Sequence, residues 1–411
     1  MAVEMKNSGV QWIGEIPRNW LLASVGHLFK IKAGGDAKPN LYEYDFDEGH
    51  PYPVYTNTLD KNQVYAYSSK AFFHGPCITV TGRGAVGHAI YREDSFDAII
   101  RLLVLKPRLD VSCKYFTYFI DNVCKFFTNN ATIGQLSAEQ IYPAKVCLPP
   151  LQEQEAIANF LDEKCAEIDG LLADLEEQIK TLRAYEKSLI AETVTHGLNP
   201  NAQMKQSGIT WADTIPTHWN VKPLYCFYSQ RVNKNLLGKE QNLLSLSFGS
   251  IVRKDINSVG GLIPASYNTY NIVENQDIII RPTDLQNDKR SLRTGLVKER
   301  GIITSAYIAL KPKATIHSPF FHYLLHSYDI KKVFYNMGNG VRQGLNYSEF
   351  SRLMLFEPPI EEQIAIANYL DDKIARIEDL IGDKFLQTLH LKEYKSSLIY
   401  EYVTGKKQLA L

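Results

Sequence analysis

The sequence predicts an α+β protein built twice: two similar globular units, strands first and a helix after, separated by two long α-helices that pair as an antiparallel coiled coil. Three observations predict it. A length of 411 residues exceeds one ordinary domain. Two blocks of sequence recur, which predicts an internal repeat with a pseudo-two-fold relation. After each second block comes a proline-free stretch with apolar residues on a seven-residue beat.

The first repeated block opens each half. Met5-Lys6-Asn7-Ser8-Gly9-Val10-Gln11-Trp12 returns as Met204-Lys205-Gln206-Ser207-Gly208-Ile209-Thr210-Trp211, Ile16-Pro17 as Ile215-Pro216, and Trp20 as Trp219, all at an offset of 199. The second block, Pro149 to Asp162, returns as Pro358 to Asp371 at an offset of 209, and Tyr185 to Ile190 returns as Tyr394 to Ile399. Between the blocks the halves differ by 10 residues in length and match poorly. The frame is thus repeated and the filling is not. The expected organisation is globular units at 1–150 and 199–358, with long helices at 151–198 and 359–411.

Within the globular units, 76–81, 98–105, 277–281 and 305–310 read as strands, being apolar and β-branched. Residues 114–127 and 319–335 read as helices. Gly82-Arg83-Gly84-Ala85-Val86-Gly87 matches G-x-G-x-x-G after a strand. A dinucleotide fold would need a helix next. His88 to Tyr91 alternates like a strand instead, so a strand–turn–strand loop is expected.

The long helices carry the seam. Leu161, Ile168, Leu175, Leu182 and Leu189 are spaced by sevens, and Leu370, Ile377, Leu391 and Leu398 follow the same beat, with Lys384 interrupting it. A helix of that length, on the order of 65 Å, needs a partner for its apolar stripe. The other copy is the candidate.

Charge is unevenly spread. The chain has 45 basic and 45 acidic side chains, yet residues 199–358 carry a net charge of +8, 1–150 of +1, 151–198 of −7 and 359–411 of −2. Neutral-to-basic globular units beside acidic helices fit a protein that meets phosphate with the former. The six cysteines form no C-x-x-C pair and no Cys/His cluster. Reduced, mostly buried thiols are expected, with no metal site. An N-terminus without an apolar core and the lack of any run of about 18 apolar residues predict no leader peptide, no membrane span and a cytoplasmic address.

Two loops in each half carry side chains suited to reading or holding DNA, and these are the candidate contacts. In the first half, Thr81, Arg83 and Gly84 lie on the glycine loop and Gln135 on the loop before Pro149-Pro150. In the second half, Arg281, Lys289, Arg290 and Arg293 occupy the corresponding strand loop, and Arg342 and Gln343 the loop before Pro358-Pro359. Arginine takes a guanine edge bidentately or holds a phosphate, and glutamine reads adenine. The same residues also serve as ordinary turn and surface residues. No catalytic residue is expected. There is no Asn/Asp-Pro-Pro-Tyr/Phe tetrapeptide and no Walker A sequence. Asp162-Glu163-Lys164 and Asp371-Asp372-Lys373 are similar to a fragment of a nuclease site but fall on the heptad helices, where a solvated face is expected.

The two Trp-containing blocks (Trp12 to Trp20, Trp211 to Trp219) and the two P-P-L/I-x-E-Q-x-x-I-A-N-F/Y-L blocks (Pro149 to Leu161, Pro358 to Leu370), in this order, resemble the specificity subunit of Type I restriction–modification systems over nearly the whole chain. The second Trp block departs from the first, with Ala212 where Ile13 stands. The resemblance implies two target recognition domains that each read half of a bipartite, asymmetric site on double-stranded DNA. It implies helices that set the spacing and dock two methyltransferase subunits, and a restriction and motor subunit in the full complex. It implies no cofactor in this chain: S-adenosylmethionine, ATP and Mg²⁺ would belong to the partners. The alternative is a stand-alone DNA methyltransferase or nuclease with an atypical site.

Overall fold

The computed structural model describes residues 4–124, 135–256, 266–283, 285, 292–313, 315–337 and 344–409. The chain divides into two compact units, Met1–Glu176 with Phe385–Leu411, and Glu177–Lys384.

The first unit runs through β1 (Met5–Asn7), β2 (Glu15–Pro17), β3 (Leu21–Ser24), α1 (Val25–Leu28), β4 (Phe29–Ala33), β5 (Tyr42–Glu43), β6 (Tyr52–Tyr55), β7 (Ala66–Ser68) and β8 (Phe73–His74). It continues with β9 (Cys77–Val80), β10 (Ala89–Arg92), β11 (Ser95–Ala98), β12 (Leu103–Pro107), α2 (Cys113–Asn122), α3 (Ala138–Ile141) and β13 (Lys145–Leu148). The helix α4 (Leu151–His196) starts here. One sheet has the order β10-β9-β12-β4 and a second the order β5-β7-β6-β11-β8. Helix α2 starts at Ser112, whose side chain accepts from the Tyr115 amide, and it buries Tyr115, Phe116, Phe119 and Ile120 at helical spacing against the first sheet.

The second unit contains β14 (Met204–Ile209), β15 (Ala212–Pro216), β16 (Asn220–Pro223), β17 (Tyr228–Gln230), β18 (Leu243–Ser247), β19 (Ser250–Lys254), β20 (Asn271–Val273) and β21 (Ile278–Ile280). It goes on through β22 (Thr294–Leu296), β23 (Gly301–Ile303), β24 (Ile308–Pro312), α5 (Ser318–Ile330), α6 (Tyr347–Phe350), β25 (Met354–Glu357) and the start of α7 (Ile360–Val403). Its sheets have the orders β17-β24-β21-β22 and β19-β18-β23-β20. Strand for strand these repeat the first unit: β22-β21-β24-β17 answers β10-β9-β12-β4, and β19-β18-β23-β20 answers β7-β6-β11-β8. Even the parallel pairs correspond, β6 with β11 and β18 with β23. The fold of the interiors is therefore duplicated where their sequence similarity has faded.

One expected strand is two. The apolar run 98–105 is broken by Ile100 and Arg101, both left-handed with φ of 56° and 59°. The break moves the chain from β11 in one sheet to β12 in the other. An apolar run cannot reveal such a crossing, because both strands it joins are buried.

The repeated sequence blocks have a common structural cause. The indole N–H of Trp20 donates to the Glu153 carboxylate (2.5 Å) and that of Trp219 to Glu362 (2.9 Å). Buried Gln154 accepts from the Ser112 amide (3.0 Å) and donates to the Pro149 carbonyl (2.8 Å). Gln363 does the same with His317 (3.0 Å) and Pro358 (2.8 Å). The Glu-Gln pair thus ties each long helix's first turn to the body of its unit and satisfies backbone groups that would otherwise be buried unpaired.

The α4 and α7 helices have 46 and 44 residues. In the first unit Phe160 packs on Tyr402 (ring centroids 4.6 Å) and Lys395 reaches Asp169 (2.6 Å), so numbering rises on one helix as it falls on the other. The pairing is antiparallel. Leu161 and Ile168 are buried with Leu398, and Leu391 packs half-buried beside them; Leu175 is buried as well. In the second unit Leu189, Leu370 and Ile377 are buried together, with Leu182 half-buried against them. Lys384, the interruption in the heptads, donates to Gln178 (2.5 Å) and so keeps its ammonium satisfied at a half-buried position. Both helices end on a left-handed glycine, Gly197 (φ 73°) and Gly405 (φ 74°). A Cβ at Gly405 would collide with Pro17, which is why the final turn can lie on the β1–β2 hairpin. There Tyr400 donates to the Trp12 and Ile13 carbonyls (3.2 Å each).

Candidate nucleic-acid interface

In the first unit the glycine loop joins β9 to β10, which pair antiparallel from Val80↔Ala89 to Cys77↔Arg92. It is a strand–turn–strand, as the alternation of His88 to Tyr91 predicts. Thr81 closes its neck: its hydroxyl donates to the Ala85 carbonyl and accepts from the His88 amide (2.9 Å). Thr81 is buried, so its part is to shape the loop, which corrects its expected place among the DNA contacts. Gly84 stands at the tip with φ 72°. Arg83 is exposed beside it.

The second loop meets the first. Gln135 forms an isolated β-bridge with Arg83, and the Leu136 amide donates to the Gly82 carbonyl (2.9 Å). The two loops that sequence pattern proposes are thus adjacent, with exposed Arg83 and Gln135 side by side.

Two further residues complete the arrangement, and sequence reasoning missed both. The Asn57 amide oxygen accepts from the Gly82 (2.7 Å) and Arg83 (3.3 Å) amides, while its nitrogen donates to the Ile100 carbonyl (2.7 Å). Asn57 is the clamp that joins three loops. Arg101 is exposed on the left-handed turn beside Gly82. Nothing local in Ile100-Arg101 signals that turn, since neither is glycine, asparagine or aspartate.

His88 links the loop to its surroundings. Its Nδ1 lies 2.7 Å from the Asp121 carboxylate and its Nε2 3.1 Å from the Leu59 carbonyl. Both partners are acceptors, an arrangement that favours the protonated ring. The Asp121 hydrogen bond raises the His88 pKa above its ordinary value, against the opposing effect of burial.

The second unit repeats the junction. The Leu345 amide donates to the Pro282 carbonyl (3.0 Å), the counterpart of Leu136 on Gly82. Arg281 is half-buried at the base of its loop, and its amide donates to the Arg293 carbonyl (2.8 Å). Lys289, Arg290, Arg342 and Gln343 lie outside the described residues.

Arg293 is a second correction. Its side chain is 0% exposed and cannot reach DNA. Its guanidinium donates to the Tyr335 hydroxyl (2.9 Å) and the Thr283 carbonyl and sits 5.1 Å from the Tyr335 ring. Its own amide donates to the Asp329 carboxylate, also fully buried. Burial raises the Asp329 pKa, and the Arg293 amide, Lys332 and Tyr335 oppose that rise. This is an internal support under the basic loop: a cation that holds the Thr283 carbonyl in place looks identical in sequence to one that faces solvent.

The acidic residues on the long helices also have structural partners. Asp162 accepts from Lys114 (2.8 Å) and Tyr118 (2.8 Å), and Asp371 from Tyr323 (2.5 Å). They fasten α4 to α2 and α7 to α5, rather than merely meeting solvent. Among the described residues no three His, Cys, Asp or Glu side chains gather as a metal site. All six cysteines are free, and burial pushes Cys77 and Cys147 up to about 12 and Cys113 to about 11. Among the described residues no helix is long and apolar enough to cross a membrane.

Residues 17–181 match the Type I restriction modification DNA specificity domain. The chain is 24% identical over 321 residues to a protein of Methanocaldococcus jannaschii proposed as the MjaX specificity subunit of a type I restriction enzyme, covering 75% of this chain and 71% of that one. It is 24% identical over 180 residues to the EcoDI type I specificity subunit of Escherichia coli, covering 43% of this chain and 38% of that protein. Among solved structures, a chain from work on the complex assembly and conformational transition of the type I R-M system superposes with a TM-score of 0.71 at 12% identity, over 95% of this chain and 99% of its own. The HsdS subunit of Thermoanaerobacter tengcongensis gives 0.52 at 14% identity, over 95% and 98%. At these identities the structural likeness establishes the fold.

Proposed function

We propose that the chain is a Type I restriction–modification specificity subunit, as its likeness to that family supports, and that it reads a bipartite, asymmetric site on double-stranded DNA, one half per recognition domain. In this reading it is the DNA-recognition subunit of a restriction and methyltransferase complex, and not a catalytic one. In our reading residues 1–150 and 199–358 are the target recognition domains. Residues 151–198 and 359–411 are the spacer that fixes the number of unread base pairs and docks the methyltransferase subunits, two in number, and the restriction subunit.

The observation that carries this reading is one two-sheet frame repeated with unlike loops. At the same junction the first unit offers Arg83, Arg101 and Gln135, and the second offers the Arg281 loop. Two readers of two different half-sites need a common scaffold and different polar side chains. We assign the base and phosphate contacts to Arg83, Arg101, Gln135 and Arg281, joined by Lys289, Arg290, Arg342 and Gln343. Gly84 lets the backbone approach the duplex.

Mapping methylated bases genome-wide with and without this gene tests the reading. It should return a split motif, and exchanging residues 1–150 for another unit should change only one half of it. A motif that changes in both halves, or methyl transfer or cleavage by the purified chain alone, refutes it.

A further inference from the structure

The β18–β19 hairpin closes through two residues, Phe248 and Gly249, between the paired Ser247 and Ser250. Both have positive φ, 47° and 82°. That is the backbone of a type I′ turn, whose first position asparagine or aspartate normally fills. A phenylalanine there is strained, and it is 90% exposed. Folding therefore does not explain it: an asparagine would relieve the backbone, and no core is gained from the ring. Strain combined with exposure marks residues kept for contact with something else.

The surroundings indicate what that is. A Cβ on Gly249 would lie 3.0 Å from the Leu292 side chain and 3.6 Å from His326, so the turn rests against the residue preceding Arg293, at the end of the basic loop. Lys254 stands exposed on β19, next to Arg253, whose guanidinium pairs with the Glu299 carboxylate. The first unit has a counterpart. Its β6–β7 connection carries Leu59, 60% exposed, between the Asn57 clamp and the glycine loop it holds. In both units, then, a large apolar side chain is held out on the same connection, beside the loop assigned to DNA.

We propose that Phe248 is a wedge that inserts between adjacent bases of the half-site read by residues 199–358, unstacking that step, as apolar side chains of architectural proteins do. This rests on the DNA-reading function proposed above. The test uses the full chain in complex with its methyltransferase subunits. The probe is a duplex carrying the mapped motif, with 2-aminopurine placed in turn at each position of the half-site assigned to this unit. The wild-type complex should raise the fluorescence at one step. Phe248→Asn should abolish that rise and weaken binding about five- to hundredfold, the loss expected for one base–aromatic stack, while its Tm stays equal or rises because the turn is relaxed. Phe248→Trp should retain both fluorescence and affinity. Unchanged affinity and fluorescence in Phe248→Asn overturn the wedge and leave the reading function standing. Weakened methyltransferase binding with unaltered DNA binding also overturns it, and makes the ring a protein contact. Salt-insensitive DNA binding by the wild-type complex overturns the underlying function itself.

Discussion

Replacing Arg293 by methionine separates a support from a contact. The substitution keeps most of the side-chain volume and removes the charge. It deletes the hydrogen bonds to Tyr335 and to the Thr283 carbonyl, and the cation over the Tyr335 ring. Hydrogen bonds to a charged group contribute about 1.5–3 kcal/mol each, and orphaned buried partners add their own desolvation cost. Relief of the buried guanidinium's desolvation offsets part of this, so the net is close to the about 3–5 kcal/mol seen when one member of a buried charged set is removed. The remaining carboxylate, Asp329, is 0% exposed and then relies on the Arg293 amide, Tyr335 and Lys332. Urea denaturation of the full chain should show the second unit unfolding earlier by that amount. DNA affinity of the complex measured across salt concentrations supplies the second readout. A buried cation releases no counterion, so the slope of log K against log salt should stay unchanged, whereas loss of a phosphate-contacting arginine lowers it by about 0.9. Stability within about 0.5 kcal/mol of wild type, the range of an ordinary surface change, or a slope reduced by one contact, would refute the burial argument.

Leu161→Ala and Leu370→Ala each remove a fully buried seam side chain, and each should cost about 2–5 kcal/mol in urea melts, the first in the Trp20 unit and the second in the Trp219 unit. Trp20→Phe deletes the hydrogen bond to Glu153 and should lower stability by about 1 kcal/mol, a loss that Glu153→Gln in the same background should not deepen if the pair acts as one. His88 has its folded pKa raised by Asp121. Its contribution is therefore full below the unfolded value of about 6.5 and is lost as pH rises through the higher folded value. The window therefore opens near the unfolded value and extends upward from it, and Asp121→Asn should flatten the pH dependence of stability there in thermal melts.

Much of the architecture is legible because its signals are local and repeated. The Glu-Gln dipeptides after each Pro-Pro recur because each makes the same pair of side-chain ties, so a twice-written motif reports a twice-built joint. The heptads are legible because a long apolar stripe has few ways to be buried. The strand loops follow from glycine and alternation. Other features left no local mark. The turn at Ile100-Arg101 adopts left-handed backbone on residues that rarely do so, and Asn57 becomes a clamp only because β6 and β9 bring their ends together. Thr81 and Arg293 carry chemistry that suits DNA, and burial turns that chemistry inward. Solvent exposure depends on tertiary neighbours, which a loop's own residues do not encode.

The division of the chain has a consequence for how it matures. Glu177–Lys384 is one continuous stretch, but the other unit is closed by Phe385–Leu411, with Tyr115 donating to the Val403 carbonyl across 288 positions. During synthesis on the ribosome the later-made unit can therefore finish first, while the earlier-made one waits with Phe160, Leu161 and Ile168 uncovered until the last turns of α7 emerge. Contacts so distant in order carry a large loop-closure penalty, so a released fragment ending at Lys384 should be cut by protease in its first 176 residues while the stretch from 177 onward resists.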